Sequence, residues 1–417
     1  MFDSESLKDV LLRIVRKAID SVLPDRAVKE TLKNVDVDRV FLVAVGKAAW
    51  RMANAAYEIL GEKIEKGIVI TKYGHSEGPI DEFEIYEAGH PVPDENTIKA
   101  TRRVLELANE LKENCEILFL LSGGGSSLFE LPMEGVSLEE LRKITDVLLK
   151  SGANIEETNA VRKHLSQVKG GRFAERVYPA RVITFVLSDV LGDKLDVIAS
   201  GPTWPDRSTS KDALRVLEKY GVEVNEGVKK ALMEETPKHL SNVEIHLIGN
   251  VKKVCEEAKK AASEEGFNAE IVTTTLDCEA REAGKFIASV MREIKFANRP
   301  LRRPAAVIFG GETVVHVRGT GLGGRNQELA LSAAITLEGL DGVALCAVGT
   351  DGTDGPTDAA GGVVDGETTL ILKRMGEDPN LYLENNDSYN ALKKAGSLLI
   401  TGPTGTNVND LIVGLVT

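Results

Sequence analysis

The sequence predicts an α/β protein of two domains, with a doubly wound, mostly parallel sheet in the first domain and a mixed sheet in the second. Three observations lead there. The 417 residues exceed what one hydrophobic core usually covers. The hydrophobic fraction of 42% and the charged fraction of 28% are those of an ordinary globular chain. Short apolar runs alternate with helical patterns. We therefore expect two α/β domains with an active-site cleft between them, and one large domain is the alternative.

The first half begins with an amphipathic pattern and continues with continuous apolar runs. Residues 7–19 have the spacing of an amphipathic helix rather than of a signal peptide. No apolar run is long enough to span a bilayer. Continuous apolar strands are typical of a parallel sheet covered on both faces by helices. Four such strands are predicted: FLVAVG (41–46), KGIVIT (66–71), EILFLLS (116–122) and RVITFVLSD (181–189).

A polar, charged stretch at 220–240 separates these strands from a second series, which starts with VEIHLIG (243–249). We place the boundary near residue 238, giving domains 1–238 and 239–417. The two parts of AAVIFGGETVVHVR are close enough to form a hairpin, which predicts a mixed sheet. The other strand candidates are AEIVTTT, VALCAVGTDG and DLIVGLV.

Charge and cysteine content exclude several classes of function. A net charge of −13 argues against nucleic-acid binding and against an anionic membrane surface. An anionic substrate must therefore meet a local cationic site. The four cysteines are scattered without a C-x-x-C pair, which favours buried thiols over disulfides or zinc. We expect a cytoplasmic protein.

The segment VGKAAW places Lys47 directly after a strand and Gly46. The pattern predicts a helix that begins at Lys47, where free N–H groups and a full positive charge would attract a phosphate or carboxylate. The alternative is a solvent-facing lysine in a first helical turn. Since that lysine would oppose the helix dipole, we favour the binding role.

The segment LLSGGGSSLF also passes from a strand through glycines to a helix. Gly123, Gly124 and Gly125 permit positive φ angles and convergent N–H groups, and Ser126 and Ser127 add hydroxyl donors. This pattern predicts an anion site, although it is not a P-loop. A plain flexible turn is the alternative.

The segment 188–206 begins where an apolar strand ends, the edge at which open α/β sheets bind ligands. Asp189 and Asp193 can hold Mg²⁺ or accept a hydroxyl proton, and Ser200 and Thr203 can contact phosphate. Capping of a helix is the alternative for both aspartates, and it is as good an interpretation for Asp193.

The segment VVHVRGTGLGGRNQELAL contains G-x-G-x-x-G at 319–324, the dinucleotide fingerprint. An NAD enzyme is therefore an alternative. Against it, the preceding strand is predicted to belong to the hairpin, and Arg325 stands at the helix entrance. An arginine there can bind a carboxylate or phosphate through two hydrogen bonds.

The segment GTDGTDGPTDAAGG places Asp351 and Asp354 in a glycine-rich loop after a strand. Carboxylates on such a loop suit Mg²⁺ that bridges nucleotide phosphates, and a turn of self-capping aspartates is the alternative. The pattern is not an EF-hand, because the twelfth position is Gly362 rather than glutamate. His90 and His164 are candidates for the site, and structural histidines are an equally good interpretation.

Eight segments together resemble the glycerate 2-kinase family that carries a C-terminal MOFRL region. The resemblance runs in one order from about residue 40 to the C-terminus. Each motif alone is weak, and their order makes the resemblance specific. The segments are VGKAA, AGHPVPD, LLSGGGSSL, NAVRKHLSQVKGGR, LSDVLGDKLDVIASGPT, GLGGRNQELAL, GTDGTDGPTDAAGG and TGPTGTNVND.

The resemblance implies ATP-dependent phosphorylation of D-glycerate at its 2-hydroxyl, with Mg²⁺ or another divalent cation. It also implies a Rossmann-like N-terminal domain that faces the second α/β domain across the cleft. A homo-oligomer is left open. The rival functions are an NAD(P)-dependent hydroxypyruvate reductase and a non-catalytic module that binds small organic acids.

Phosphoryl transfer needs positioning and charge neutralisation, which assigns a role to each candidate residue. Lys47 and Arg325 are assigned to the transferring phosphate and the glycerate carboxylate, and Asp189 to the attacking hydroxyl. Residues 123–127, Ser200 and Thr203 hold an anionic end of a ligand. Asp351 and Asp354 hold Mg²⁺-ATP, and Gly323, Gly324 and Asn407 contact the nucleotide.

Overall fold

The computed structural model describes residues 6–111 and 115–417 and contains two compact units. One unit is Pro24–Ile248, and the other is Gly249–Thr417 together with the N-terminal segment that ends at Leu23. The second unit thus contains both ends of the chain. A division at one boundary near residue 238 would place the N-terminal segment in the other unit. Each unit contains one six-stranded sheet.

The sheet of the first unit has the strand order β3-β2-β1-β4-β5-β6, the order of a doubly wound α/β fold. The pairs that join β3, β2, β1, β4 and β5 are all parallel. The chain adds strands on one side of β1 and then returns to its other side, so the topological switch point lies between β1 and β4. The strands are β1 (Val40–Val45), β2 (Ile64–Lys72), β3 (Phe83–Ala88), β4 (Glu116–Leu121), β5 (Val182–Leu187) and β6 (Val243–Gly249).

The sheet of the second unit has the order β11-β10-β9-β12-β8-β7 and is mixed. The C-terminal strand β12 lies between β8 and β9 and is antiparallel to both, whereas β7 and β8 are parallel. The strands are β7 (Asn268–Leu276), β8 (Ala305–Gly311), β9 (Val343–Gly349), β10 (Gly361–Asp365), β11 (Leu398–Leu399) and β12 (Asp410–Val416).

Helices connect these strands in the described part of the chain, and short 3₁₀ turns occupy Gly61–Lys63 and Ile198–Ser200. The helices of the first unit are α2 (Pro24–Leu32), α3 (Ala49–Leu60), α4 (Glu95–Asn109), α5 (Gly125–Leu128), α6 (Leu138–Lys150), α7 (Ile155–His164), α8 (Arg172–Arg176), α9 (Ser210–Lys219) and α10 (Glu226–Leu232). Those of the second unit are α1 (Leu7–Asp20), α11 (Val251–Glu264), α12 (Ala280–Ala297), α13 (Arg325–Leu337), α14 (Thr368–Arg374), α15 (Pro379–Glu384) and α16 (Ser388–Lys394).

The two fold predictions are confirmed, and their local basis is visible in burial and capping. Every residue of β1 is buried, as expected when helices cover both faces of a parallel sheet. The predicted N-terminal helix is α1. It is capped by the Ser6 side chain, and its buried face includes Val10, Leu11 and Ile14.

Two strand assignments made from the sequence are wrong. VEIHLIG is β6 and lies beside β5 at the edge of the first sheet, rather than opening a second sheet. The polar stretch before it contains the surface helix α10 and is not a domain break. The continuation TVVHVR forms no strand beside β8, so the predicted hairpin is absent, and β12 is what makes the second sheet mixed.

β3 was not predicted, because five of its six residues are only half-buried and its sequence FEIYEA lacks a continuous apolar run. The strands predicted at 41–46, 66–71, 116–122 and 181–189 correspond to β1, β2, β4 and β5. No helix in the described residues has the length and apolarity needed to cross a membrane.

The cysteines yield a test of this packing. Cys115, Cys255 and Cys346 are buried, whereas Cys278 is exposed, and none of the four is in a disulfide. Burial raises the pKa of the Cys255 and Cys346 thiols to about 12, which keeps them protonated and unreactive at neutral pH. We expect a thiol-reactive chromophore to label one site per native chain and four after unfolding. In Cys278→Ser the native protein should stay unlabelled, and fast labelling of that variant would contradict the described packing.

Candidate active site

Two turns meet at the switch point of the first sheet, one after β1 and one after β4. The Lys47 N–H donates to the Gly123 carbonyl at 2.9 Å, and the Ala48 N–H donates to Ser122 Oγ at 3.1 Å. Gly46 lies so close to Ser122 that a Cβ atom on it would collide with the serine. The sequence therefore brings the Lys47 turn and the glycine triplet together at the edge where open α/β sheets bind ligands.

Lys47 lies in the turn itself, because α3 begins at Ala49. The prediction that the helix begins at Lys47 is wrong by two residues, and Ala48 occupies the N-cap position. The Lys47 side chain is half-buried, and its ammonium group has no hydrogen-bond or ion-pair partner among residues 6–111 and 115–417. The cation is therefore available to a ligand.

The triplet turn, residues 123–127, offers a row of unused backbone donors. Within the described chain, the N–H groups of Gly123, Gly124, Gly125 and Ser126 donate to no other residue. Gly124 adopts a left-handed conformation with φ 89° and forms the N-cap of α5. Alternating right- and left-handed residues make successive N–H groups converge, which creates a concave site for an anion.

Side chains from two further strand ends flank the triplet turn. A Cβ atom on Gly124 would stand 2.9 Å from His90 Cδ2, 3.1 Å from His90 Nε2 and 3.4 Å from Lys47 Cγ. A Cβ atom on Gly123 would collide with the Asp189 carboxylate. Alanine at either position would therefore push against these side chains. A lysine, an imidazole and a carboxylate thus border one glycine turn.

Behind the turn, a chain of polar contacts reaches α7. Ser126 Oγ lies 3.4 Å from Ser200 Oγ, and the Ser200 hydroxyl donates to Asn159 Oδ1 at 3.0 Å. The Arg162 guanidinium donates to the Ser126 carbonyl at 2.8 Å. Ala199 and Ser200 have φ angles of 50° and 59°, which non-glycine residues rarely adopt. Such strained residues concentrate at functional sites.

The remaining predicted residues of this unit are turned inward. Ser127 Oγ donates to the Gly124 carbonyl at 3.1 Å, within the turn itself. Thr203 is 3% exposed and accepts a hydrogen bond from Thr184 of β5 at 3.0 Å. Ser200 is fully buried. Direct contact of these three hydroxyls with phosphate stays a prediction.

In the fingerprint loop, residues 319–324, the backbone N–H groups up to residue 322 bind other parts of the chain, whereas those of Gly323 and Gly324 have no acceptor in the described chain. The N–H groups of Arg318 and Gly319 donate to Asn386 Oδ1 at 2.7 and 2.9 Å. Those of residues 320, 321 and 322 donate to the segment 385–387 at 2.9 to 3.1 Å. The loop is therefore bound to its own chain.

The glycines of the fingerprint loop are explained by close packing. Cβ atoms on Gly319 and Gly321 would collide with Asn385, one on Gly323 with Ser388, and one on Gly324 with Asp354. The dinucleotide motif requires a strand that leads directly into the glycines, whereas β8 ends at Gly311 and no strand is assigned between it and Gly319. The described residues therefore lack the strand–glycine–helix arrangement that the NAD interpretation requires.

Arg325 opens α13 and lies against two carboxylates. Its Nε and Nη2 donate to the two oxygens of Asp410 at 2.6 and 3.0 Å, and its Nη1 donates to Glu312 at 2.8 Å. Asn409 donates to the other Glu312 oxygen at 3.0 Å. β12 runs antiparallel between β8 and β9, so its first residue, Asp410, lies beside the ends of both strands. That placement holds the guanidinium in a bidentate ion pair.

Asp354 and Asp351 occupy different environments. The Asp354 carboxylate accepts the N–H groups of Asn326 and Gln327 at 3.1 and 2.9 Å and so caps α13. Asp351 Oδ1 accepts the N–H and hydroxyl of Thr353, whereas Oδ2 has no partner in the described chain. No group of three or more metal-ligating side chains occurs in residues 6–111 and 115–417. The assignment of Mg²⁺-ATP to this loop stays a prediction, as does the nucleotide contact of Asn407.

The pKa values of His90, beside the triplet turn, and of Asp410, beside Arg325, shift in opposite directions. Burial and the nearby Lys47 lower the pKa of His90 to about 4, so its imidazole is neutral at pH 7. Burial raises the pKa of the Asp410 carboxyl to about 6, although the Arg325 guanidinium acts against that shift. Burial also raises the pKa of Asp354.

Comparison with known proteins explains why these features occur together. Two family models match, a domain of unknown function (DUF4147) over residues 10–233 and the MOFRL family over residues 305–410. A Thermotoga maritima protein named D-glycerate 2-kinase is 76% identical over 416 residues, which cover 100% of both chains. The chain belongs to the glycerate 2-kinase family.

Other glycerate 2-kinase relatives agree in sequence and in structure. A Pyrococcus horikoshii protein named glycerate 2-kinase is 44% identical and covers 99% of this chain and 98% of its own length. A crystal structure of glycerate kinase from Thermotoga maritima superposes with a TM-score of 0.97 over 99% of both chains. An Agrobacterium vitis relative, 39% identical over 97% of this chain and 94% of its own, is named putative hydroxypyruvate reductase.

Several residues of the two clusters were given no role by sequence reasoning. Asn159 and Arg162 lie in the family segment NAVRKHLSQVKGGR, but nothing in those letters shows that they approach the triplet turn, and His90 was a candidate without an assigned role. Asp410 lies 85 residues after Arg325, and Asn409 lies 97 residues after Glu312. Only the strand order brings such distant positions together.

The Arg325 cluster predicts a stability effect. In Arg325→Ala, Asp410 keeps its place with only 1% exposure and loses its cation, so the free energy of unfolding should fall by about 3 kcal/mol. Urea unfolding of wild type, Arg325→Ala and the double variant Arg325→Ala/Asp410→Asn tests this. The double variant should regain part of the loss, because the buried charge is gone. Equal stability of Arg325→Ala and wild type would show that the ion pair contributes little.

Proposed function

We propose that this chain transfers the γ-phosphoryl group of ATP to the 2-hydroxyl of D-glycerate, giving 2-phospho-D-glycerate and ADP. The structural feature that best supports phosphoryl transfer is the row of unused N–H groups at 123–126, together with the unpartnered Lys47 ammonium. An anion fits there, and the family relatives are named for phosphorylation of glycerate.

The residues of the first unit suit the charge changes of phosphoryl transfer. The transition state spreads negative charge over oxygen atoms, and positioned donors that need no reorganisation stabilise it. Lys47 and the triplet turn supply a full charge and convergent dipoles. Asp189, on the other side of Gly123, orients the attacking hydroxyl or accepts its proton. In this proposal the protein forms no covalent bond with the substrate.

Arg325 is proposed to neutralise phosphate or carboxylate charge, as its place at the start of α13 suggests. Its side chain is 33% exposed, so the guanidinium is within reach of a ligand while it stays paired to Asp410. A paired arginine still attracts an anion when its remaining N–H edge faces the ligand. The Glu312 contact is the one a ligand would replace, since the Glu312 side chain is 43% exposed.

Mg²⁺ or another divalent cation is proposed to accompany ATP, where it would neutralise phosphate charge. Mg²⁺ keeps several waters and commonly uses only one or two carboxylates plus phosphate oxygens. Asp351 fits this use, because one of its carboxylate oxygens is unoccupied. Asp354 does not fit as it stands, since both of its oxygens cap α13.

A cytoplasmic location is part of the proposal, because all four cysteines are free, as a reducing compartment would leave them. The two predicted domains and the cleft between them stay predictions. So does the direct contact of Gly323 and Gly324 with nucleotide, since both glycines pack against Ser388 and Asp354.

The deciding assay incubates the purified chain with D-glycerate, ATP and Mg²⁺ and measures ADP. We expect ADP to form only when D-glycerate is present, and the product to be the 2-phosphate by ³¹P NMR. A parallel reaction contains hydroxypyruvate and NADH. NADH oxidation without ADP formation would replace the kinase proposal with the reductase.

Lys47→Ala should lower kcat/KM by at least about a hundredfold, or roughly 2.7 kcal/mol of transition-state stabilisation, because it removes the positive charge whose side chain lies against the triplet turn. The control is Lys211→Ala, which removes an exposed lysine of α9. Both variants should unfold at the wild-type urea concentration. Near-normal turnover of Lys47→Ala would remove this residue from the mechanism.

A further inference from the structure

The imidazole of His90 is, like the Lys47 ammonium, a half-buried group at the triplet turn for which the described chain supplies no hydrogen-bond partner. It follows β3, so it reaches the switch point from the strand-end edge of the sheet. Neither ring nitrogen makes a hydrogen bond to a residue in 6–111 or 115–417. A half-buried ring without a partner loses hydrogen bonds to water and gains none from the protein.

The position of the ring shows which nitrogen could serve a ligand. The Nε2 and Cδ2 edge faces Gly124, at 3.1 and 2.9 Å from the place where a Cβ atom would stand. Because residue 124 is glycine, the ring edge can pack directly against its backbone, and the Lys47 side chain borders the same position at 3.4 Å. The ring edge therefore lies beside the segment 123–126, whose N–H groups are unused.

His90 is better suited to donate a hydrogen bond than to supply charge. Burial is the main effect that lowers the pKa of His90, and the charges of Lys47, Lys72 and His75 act in the same direction. A neutral imidazole still has one N–H donor, and that donor can point at an anion. Lys47 would supply the charge and His90 a directional contact.

We infer that His90 is a substrate-contacting residue, which donates a hydrogen bond from Nε2 to the oxyanion held by the triplet turn and Lys47. The oxyanion is either the carboxylate of D-glycerate or a phosphate of ATP. The inference rests on the proposed function for the identity of these ligands, but binding can be measured without turnover.

The kinetic test compares His90→Ala, His90→Gln and His90→Asn. A lost hydrogen bond to a charged group should raise the KM of the contacted substrate at least about tenfold in His90→Ala, with a smaller change in kcat. His90→Gln should recover most of that loss, since its amide nitrogen can approach the place of Nε2. His90→Asn, whose amide reaches only the place of Nδ1, should not. The matched control is His239→Gln at an exposed position.

The binding test uses the full chain labelled at histidine ring carbons, with the His90 signal assigned from His90→Gln. D-glycerate, ADP and inorganic phosphate are added separately at constant pH. Movement of the His90 signal with D-glycerate alone assigns the carboxylate, and movement with ADP or inorganic phosphate assigns a phosphate. If a ligand binds by calorimetry and the His90 signal stays still with all three, the inference is wrong.

The two proposals fail in different ways. Absence of ADP formation by the wild type would overturn the kinase function and leave the binding test of His90 in force. Normal ADP formation with unchanged KM values in His90→Ala would overturn the role of His90 and leave the kinase function. A folding defect confined to His90→Ala would shift the decision to His90→Gln against His90→Asn, where equal KM values would also overturn the role.

Discussion

The hydrogen bond from the Lys47 N–H to the Gly123 carbonyl is the contact on which the candidate site depends. It joins the turns that follow β1 and β4, and these strands neighbour each other only because the chain returns across β1. The bond also fixes the direction of the Gly123 peptide, since its carbonyl is engaged by Lys47. The N–H groups of 123–126 make no bond to the rest of the described chain, and the Lys47 side chain passes beside Gly124.

The triplet turn and the fingerprint loop show that a glycine-rich sequence motif does not by itself reveal why glycine is needed there. In the triplet turn, glycine frees backbone donors and leaves room beside His90 and Asp189. In the fingerprint loop, it lets the backbone approach Asn385, Ser388 and Asp354, and the N–H groups of residues 319–322 bind the segment 385–387. The better match to a ligand-binding pattern is therefore the loop whose first four donors are already used.

Much of the fold could be predicted, because continuous apolar strands and helix patterns are local signals. β1, β2, β4 and β5 have buried runs that need no knowledge of their partners. β6 was assigned to the wrong sheet because partner choice is a property of the whole chain. β3 was missed because half-exposed strands alternate less clearly than buried ones.

The candidate site was predictable where a residue follows a strand directly, as Lys47 and the triplet turn do. The position of Lys47 before the helix, rather than in it, depends on the N-cap at Ala48, which has no side-chain signature. The cap formed by Asp354 could not be found either, since it reaches α13 from a loop almost thirty residues later. His90 was considered from the sequence, but only the fold places its ring beside Gly124.

The central place of β12 affects the order in which a ribosome can complete the molecule. Every strand of the first sheet has been synthesised by Gly249. The second sheet lacks the strand that joins β8 to β9 until Val416, one residue before the end of the chain. Helix α1 belongs to the same unit. Since α1 packs against α11, β9 and β12, its apolar face is fully covered only after these later elements have been made.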